Sequence, residues 1–152
     1  MRKILIIGAS ASIGNEIIKN FLLNGDTVYG TYNYRKLKIN GFNYSQPKFD
    51  QTKLDINCND SQNIFIKKIK RYGKFDVVIF LPALLLGKSL KEYKSIEINE
   101  VIETNLKKQE QMLKHIMKST QFNNVKLKGA AGKWALLKKT VHNREGDFAH
   151  IR

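Results

Sequence analysis

Seven residues close to the start of the chain, Gly8-Ala9-Ser10-Ala11-Ser12-Ile13-Gly14, have the types and spacing that suit contact with an anion. Gly8 supplies a bend. A helix opening just beyond it presents the backbone amides of Ser10, Ala11, Ser12 and Ile13 at its N-terminus, where the dipole favours a negative group such as a pyrophosphate. The serine hydroxyls can add hydrogen bonds. A phosphate-bearing ligand is the inference, although any strand-to-helix turn also favours glycine at Gly8 and Gly14.

The elements needed to position these residues can be read on either side of them. Ile4 to Ile7 is an apolar, largely β-branched run suited to a strand buried on both faces. Ile13, Ile17, Ile18, Phe21 and Leu22 recur at helical spacing, Asn24-Gly25 closes that helix, and a second strand follows. The predicted strands are Lys3–Ile7, Thr27–Thr31, Lys48–Leu54 and Val77–Leu81. They alternate with helices, one of them the amphipathic segment Ile64–Tyr72 with Asp60 or Ser61 as its N-cap, and a long helix is predicted from Ile98 to Lys118. This order gives an α/β fold with a Rossmann-type, doubly wound parallel sheet, incomplete at four to five strands.

The spacing Gly8-x5-Gly14 between a strand and a helix resembles the cofactor turn of the short-chain dehydrogenase/reductase family, and three further stretches agree with it in order. Leu54-Asp55-Ile56 matches the end of the family's third strand, Asp76–Phe80 its fourth strand, and Ile98–Leu106 its long helix. The resemblance runs from Met1 to about Thr120. It implies an NAD(P)-dependent oxidoreductase acting on a carbonyl or secondary alcohol. The implied cofactor contacts are Gly8, Ser10, Ala11, Ser12, Ile13 and Gly14 at the pyrophosphate, and Asp55 with Ile56 at the adenine. Asn105 is the implied catalytic asparagine. A loop carboxylate is the alternative reading of Asp55, and an ordinary polar helix residue that of Asn105. At the end of the second strand stand Asn33, Arg35 and Lys36 with no carboxylate among them, so NADP is preferred over NAD; solvated cations are the alternative.

The sequence also departs from the family. Ser12 occupies the place of a middle glycine, and Phe80-Leu81-Pro82-Ala83 replaces the usual Asn-Asn-Ala-Gly, which alters the wall on the cofactor side. The family's catalytic serine and Tyr-x-x-x-Lys pair have no counterpart: after Asn105 there is no tyrosine, and Ser119 is the only serine. Tyr32 to Lys36 and Tyr34 to Lys38 match the pattern but fall in the loop around the adenosine ribose, away from the nicotinamide. The sequence therefore reads as the cofactor-binding half of such an enzyme, lacking its catalytic residues. The alternative is a non-catalytic nucleotide-binding or partner-binding fragment.

With 152 residues the chain is expected to form at most one domain. Val77 to Leu86 is far below the roughly twenty residues of a membrane span, and the lone Cys58 has no metal-binding companions, so a cytoplasmic location without a metal is expected. The net charge of +14 raises nucleic acid as a partner, but the lysines are spread along helix faces with no nucleic-acid motif, which argues against it. The long helix, with Val101, Leu106, Met112, Leu113 and Ile116 as an apolar stripe, implies a homo-oligomer. From Gly129 the composition shifts: four alanines, Trp134, His142 and His150 appear. The expected division is 1–128 as the nucleotide-binding domain and 129–152 as an atypical tail, either a frameshift or truncation scar or a divergent strand and helix.

Overall fold

The computed structural model describes residues 1–10, 12–39, 49–84, 86–87, 90–119 and 122–129. Five parallel strands form one sheet in the order β3-β2-β1-β4-β5: β1 (Lys3–Ile7), β2 (Thr27–Tyr32), β3 (Phe49–Lys53), β4 (Phe75–Phe80) and β5 (Phe122–Gly129). The helices are α1 (Ser12–Leu23), α2 (Asn59–Lys70), α3 (Ser95–Ile102) and α4 (Gln109–Ser119), with a π-helical stretch, Glu103–Lys108, joining α3 to α4. The strand order reverses between β1 and β4. In open α/β sheets the crevice beyond the carboxyl ends of the strands at that reversal is where ligands bind.

β1 is buried on both faces, and its alternate side chains feed two cores. Leu5 and Ile7 pack with Phe65 and Ile69 of α2 and with Met112 and Ile116 of α4; Ile4 and Ile6 pack on the opposite face with Ile18 of α1, Leu37 and Ile39. The apolar run therefore specifies a central strand covered by helices on both sides.

Several sequence expectations change. β4 starts at Phe75, two residues before the expected Val77. The long helix starts at Ser95 and contains the π-helical stretch. Neither Asp60 nor Ser61 caps α2: the N-cap position is Cys58, with no side-chain cap bond, and Ser61 Oγ instead accepts from the Asp55 amide at 2.9 Å. The apolar stripe of the long helix divides. Met112 and Ile116 are fully buried in the core, Val101 and Leu113 are half-buried, and Leu106 is 48% exposed; Ile98 and Ile102, outside that stripe, are 43% and 45% exposed. No helix among the described residues is long and apolar enough to cross a membrane. The tail from residue 130, with Trp134 and the two late histidines, lies outside the described residues.

At the amino ends of the strands Asp26, almost fully buried, accepts from the Arg2 amide at 2.9 Å and from Arg2 Nη2 at 2.6 Å. The Arg2 guanidinium holds the Asp26 carboxyl below the usual carboxylate range, against burial, which pushes it up. A group depressed on folding stabilises the native state above its unfolded pKa and loses that contribution as the pH falls through the folded value. Asp26→Asn is expected to cost about 2 kcal/mol at neutral pH, the scale of hydrogen bonds to a charged group. Urea unfolding from pH 7 to pH 2 checks this: the gap between parent and variant should close as the pH falls through and below the ordinary carboxylate range. A constant gap would refute the linkage.

Candidate functional site

Gly8 ends β1 at the strand-order reversal with a φ of +73°, a left-handed conformation that favours glycine. Its amide donates to Thr31 Oγ1 at 2.8 Å, and the Ala9 amide donates to the Thr31 carbonyl at 2.8 Å, so β2 fixes the turn. A Cβ on Gly8 would meet the Pro82 nitrogen, Cδ and Cγ at 2.8, 2.9 and 2.9 Å. A Cβ on Gly14 would overlap the Ala9 carbonyl oxygen and lie 2.7 Å from its carbon. The two glycines thus let the strand, the turn and α1 approach closely.

α1 opens at Ser12 with no carboxylate in its first turn, leaving its N-terminal dipole unopposed by charge of its own. Ser10 is exposed and Ile13 is 57% exposed, an uncovered large apolar side chain at the mouth of the turn. In the first turn the buried Asn15 Oδ1 has no hydrogen-bond partner. Ala11 and the Ser12 side chain lie outside the described residues.

At the carboxyl end of β2 Asn33 is half-buried and Arg35 and Lys36 are exposed. Among the described residues neither cation is in an ion pair. The segment they occupy is held by Gln51 of β3, whose Oε1 accepts from the Leu37 amide at 2.8 Å and whose Nε2 donates to the Leu37 carbonyl at 3.1 Å. Gln51 has no local sequence signal, because its partner lies 14 residues away.

Beyond β3 the Leu54 amide donates to the Tyr32 carbonyl at 2.8 Å, bringing Asp55 to the same edge of the sheet as Gly8. Asp55 Oδ1 accepts from the Asn57 amide at 2.9 Å, the local turn bond of its structural reading. Ile56 buries its side chain in the core, and its carbonyl accepts from Gln62 Nε2 at 2.7 Å. Any contact of Ile56 with a ligand therefore uses its backbone.

Asn105 stands within the π-helical stretch, a helix irregularity often found at functional sites. Its Oδ1 accepts from the Leu84 amide at 2.6 Å and its Nδ2 donates to the Leu84 carbonyl at 2.9 Å. Gln109, four residues on, donates from Nε2 to the Pro82 carbonyl at 2.6 Å. Helix and turn are thereby joined through the Pro82–Leu84 segment, whose Pro82 fills the space over Gly8. Sequence reasoning missed Gln109 for the same reason as Gln51. The two Tyr-x-x-x-Lys matches fall elsewhere: Tyr32 ends β2 in register with Lys53, and Tyr34 is 92% exposed just beyond it. His115 is exposed on α4.

A family model described as short chain dehydrogenase matches residues 2–129. No curated protein matches the sequence. Among solved structures the chain is similar to a short chain dehydrogenase from Leptospira borgpetersenii solved with bound NAD+, at 19% identity and a TM-score of 0.63 over 77% of this chain and 45% of that one. It is also similar to a Burkholderia multivorans protein of the short-chain dehydrogenase/reductase type solved with bound NADP, at 17% identity and a TM-score of 0.66 over 80% and 55% of the two chains. A short chain dehydrogenase family protein from Francisella tularensis matches at 18% identity and a TM-score of 0.61 over 82% and 51%. The chain spans about half the length of these structures, and at such identities the likeness is one of fold.

Proposed function

The chain belongs to the short chain dehydrogenase family, and on that premise we propose that it is the coenzyme-binding part of an NAD(P)-dependent oxidoreductase, with NADP preferred over NAD. The observation that carries this reading is the glycine turn at the strand-order reversal, with two exposed cations just beyond the neighbouring strand end. The residues present fit a dinucleotide. Gly8 bends the chain, the first turn of α1 carries no opposing charge, Ile13 is uncovered, and the Asn15 amide oxygen has no partner among the described residues. When bound, the nicotinamide ring supplies the hydride donor or acceptor of an alcohol–carbonyl interconversion.

Within this reading the amides from Ser10 to Ile13 hold the pyrophosphate at the start of α1. Gly8 and Gly14 set the turn, Asp55 and the Ile56 backbone border the adenine, and Asn33, Arg35 and Lys36 surround the adenosine ribose. Among the described residues Arg35 and Lys36 have no ion-pair partner to give up for a 2′-phosphate, and arginine recognises phosphate by a charge-assisted, bidentate fork. Asn105 has both amide atoms engaged with Leu84, so its side chain acts through the segment it holds rather than by carrying a proton. The exposed line of Ile98, Ile102 and Leu106 favours a second reading, in which the chain is a non-catalytic nucleotide-binding unit that associates through α3 and the π-helical stretch, with a second copy or another protein.

The coenzyme assignment is tested by titrating NADPH and NADH into the protein and into Arg35→Ala. NADPH should bind more tightly to the parent. Because Arg35 is exposed and screened, its removal should weaken NADPH by about 1 to 2 kcal/mol, roughly 5- to 30-fold, with NADH nearly unaffected. Equal affinities of the parent for both coenzymes would sink the NADP preference.

A further inference from the structure

We propose that Gln109 is a positioning residue for the dinucleotide: from the helix it holds Pro82 against the Gly8 bend and so sets the wall of the crevice between β1 and β4. The proposal rests on the coenzyme reading of the site. Pro82 follows the last ladder bond of β4, in which the Leu81 amide donates to the Ile7 carbonyl at 2.9 Å. Proline has no amide hydrogen, so its carbonyl is the only backbone group by which the rest of the protein can hold that residue. Gln109 Nε2 takes this carbonyl at 2.6 Å, while the nitrogen and ring of Pro82 fill the space where a Gly8 side chain would stand.

Asn105, one turn earlier, holds Leu84 by both its amide and its carbonyl. The two amide side chains therefore divide the segment between them. Removing Gln109 leaves Leu84 anchored and frees Pro82, the residue in contact with the glycine turn. The loosened part of the crevice borders Gly8, whereas Arg35 and Lys36 stand at the end of β2, where Gln51 and not Gln109 fixes the backbone. Loss of Gln109 is therefore felt by the pyrophosphate and nicotinamide end of a dinucleotide, and a ligand confined to the 2′-phosphoadenosine end is spared.

The experiment titrates NADPH and adenosine 2′-monophosphate, which has no 5′-phosphate, into the parent, Gln109→Ala and Gln109→Glu, alongside thermal unfolding and hydrogen exchange at the Leu81 and Leu84 amides. Both variants should weaken NADPH by about 5- to 10-fold, the scale of one lost hydrogen bond, because an ionised Glu can only accept and would face a carbonyl. Adenosine 2′-monophosphate should bind all three proteins alike, their unfolding midpoints should agree within a few degrees, and the Leu81 amide, beside the freed Pro82, should exchange faster in the variants while the Leu84 amide, held by Asn105, keeps its parent rate. A parent that binds neither ligand overturns the coenzyme reading and this proposal with it. A parent that binds both, with full NADPH affinity retained in Gln109→Ala or with equal losses for the two ligands, overturns this proposal alone.

Discussion

A polypeptide of these 152 residues, mixed with NADPH and a panel of aldehydes and ketones, is expected to bind the coenzyme and oxidise none of it. Proton transfer by a positioned side chain is worth about 10² to 10⁴ in rate, and each group must stand within hydrogen-bond reach of the reacting oxygen. The sequence has no tyrosine after Asn105, and Ser119 is the last residue of α4. Tyr32 ends β2, one strand away from the crevice between β1 and β4, and Tyr34 projects into solvent beyond it. The Asn105 amide is engaged by Leu84. Among the described residues none of Tyr32, Tyr34 and Ser119 is therefore placed to protonate an alkoxide beside a nicotinamide. Coenzyme absorbance followed over hours at high protein concentration is the direct assay. Turnover that persists through purification and disappears in Tyr32→Phe would mean that the chain builds an active site of another kind.

The parts of this fold that were legible in the sequence are those set by local pattern. Ile4 to Ile7 suited a strand covered on both faces, Gly8 suited a bend, and the helical spacing of Ile17, Ile18, Phe21 and Leu22 gave α1 its buried side, although Ile13 at the same spacing is 57% exposed. What was not legible depends on contacts between distant segments. Gln51 and Gln109 read as polar residues within a strand and a helix, yet each takes a backbone carbonyl from a loop 14 or 27 residues away. The long helix is present, but its apolar stripe was misread for a different reason. Ile116 follows Ile98 by about five turns of an uninterrupted α-helix, so a single 3.6-residue period places both on one face. The π-helical stretch between them, with more residues per turn, rotates the chain less per residue and breaks that phase, leaving Ile98 exposed and Ile116 in the core. The oligomer expectation drew its stripe across this break, which is why Met112 and Ile116 belong to the core and not to a free surface.

Gly14→Ala is expected to destabilise the protein by about 3 kcal/mol or more, a large part of the 5 to 15 kcal/mol that holds a typical domain together. Judged by helix propensity the substitution should help, since alanine is better than glycine by about 1 kcal/mol inside a helix. The geometry reverses the sign. The added methyl would overlap the Ala9 carbonyl oxygen and lie 2.7 Å from the Ala9 carbon, and both atoms are backbone with no rotamer to escape into. Ala9 cannot retreat without breaking its 2.8 Å bond to the Thr31 carbonyl, and α1 cannot lift without exposing Ile18, which is fully buried. Gly87→Ala provides the comparison: Gly87 has a φ of +62° but no described residue within 4 Å of the new Cβ, so the left-handed backbone cost of about 1 to 2 kcal/mol is what is expected there. Urea unfolding of the parent and both variants separates the two effects. A Gly14→Ala protein as stable as the parent would show that the turn between β1 and α1 can relax, and the close approach of strand and helix would then no longer explain the glycine at that position.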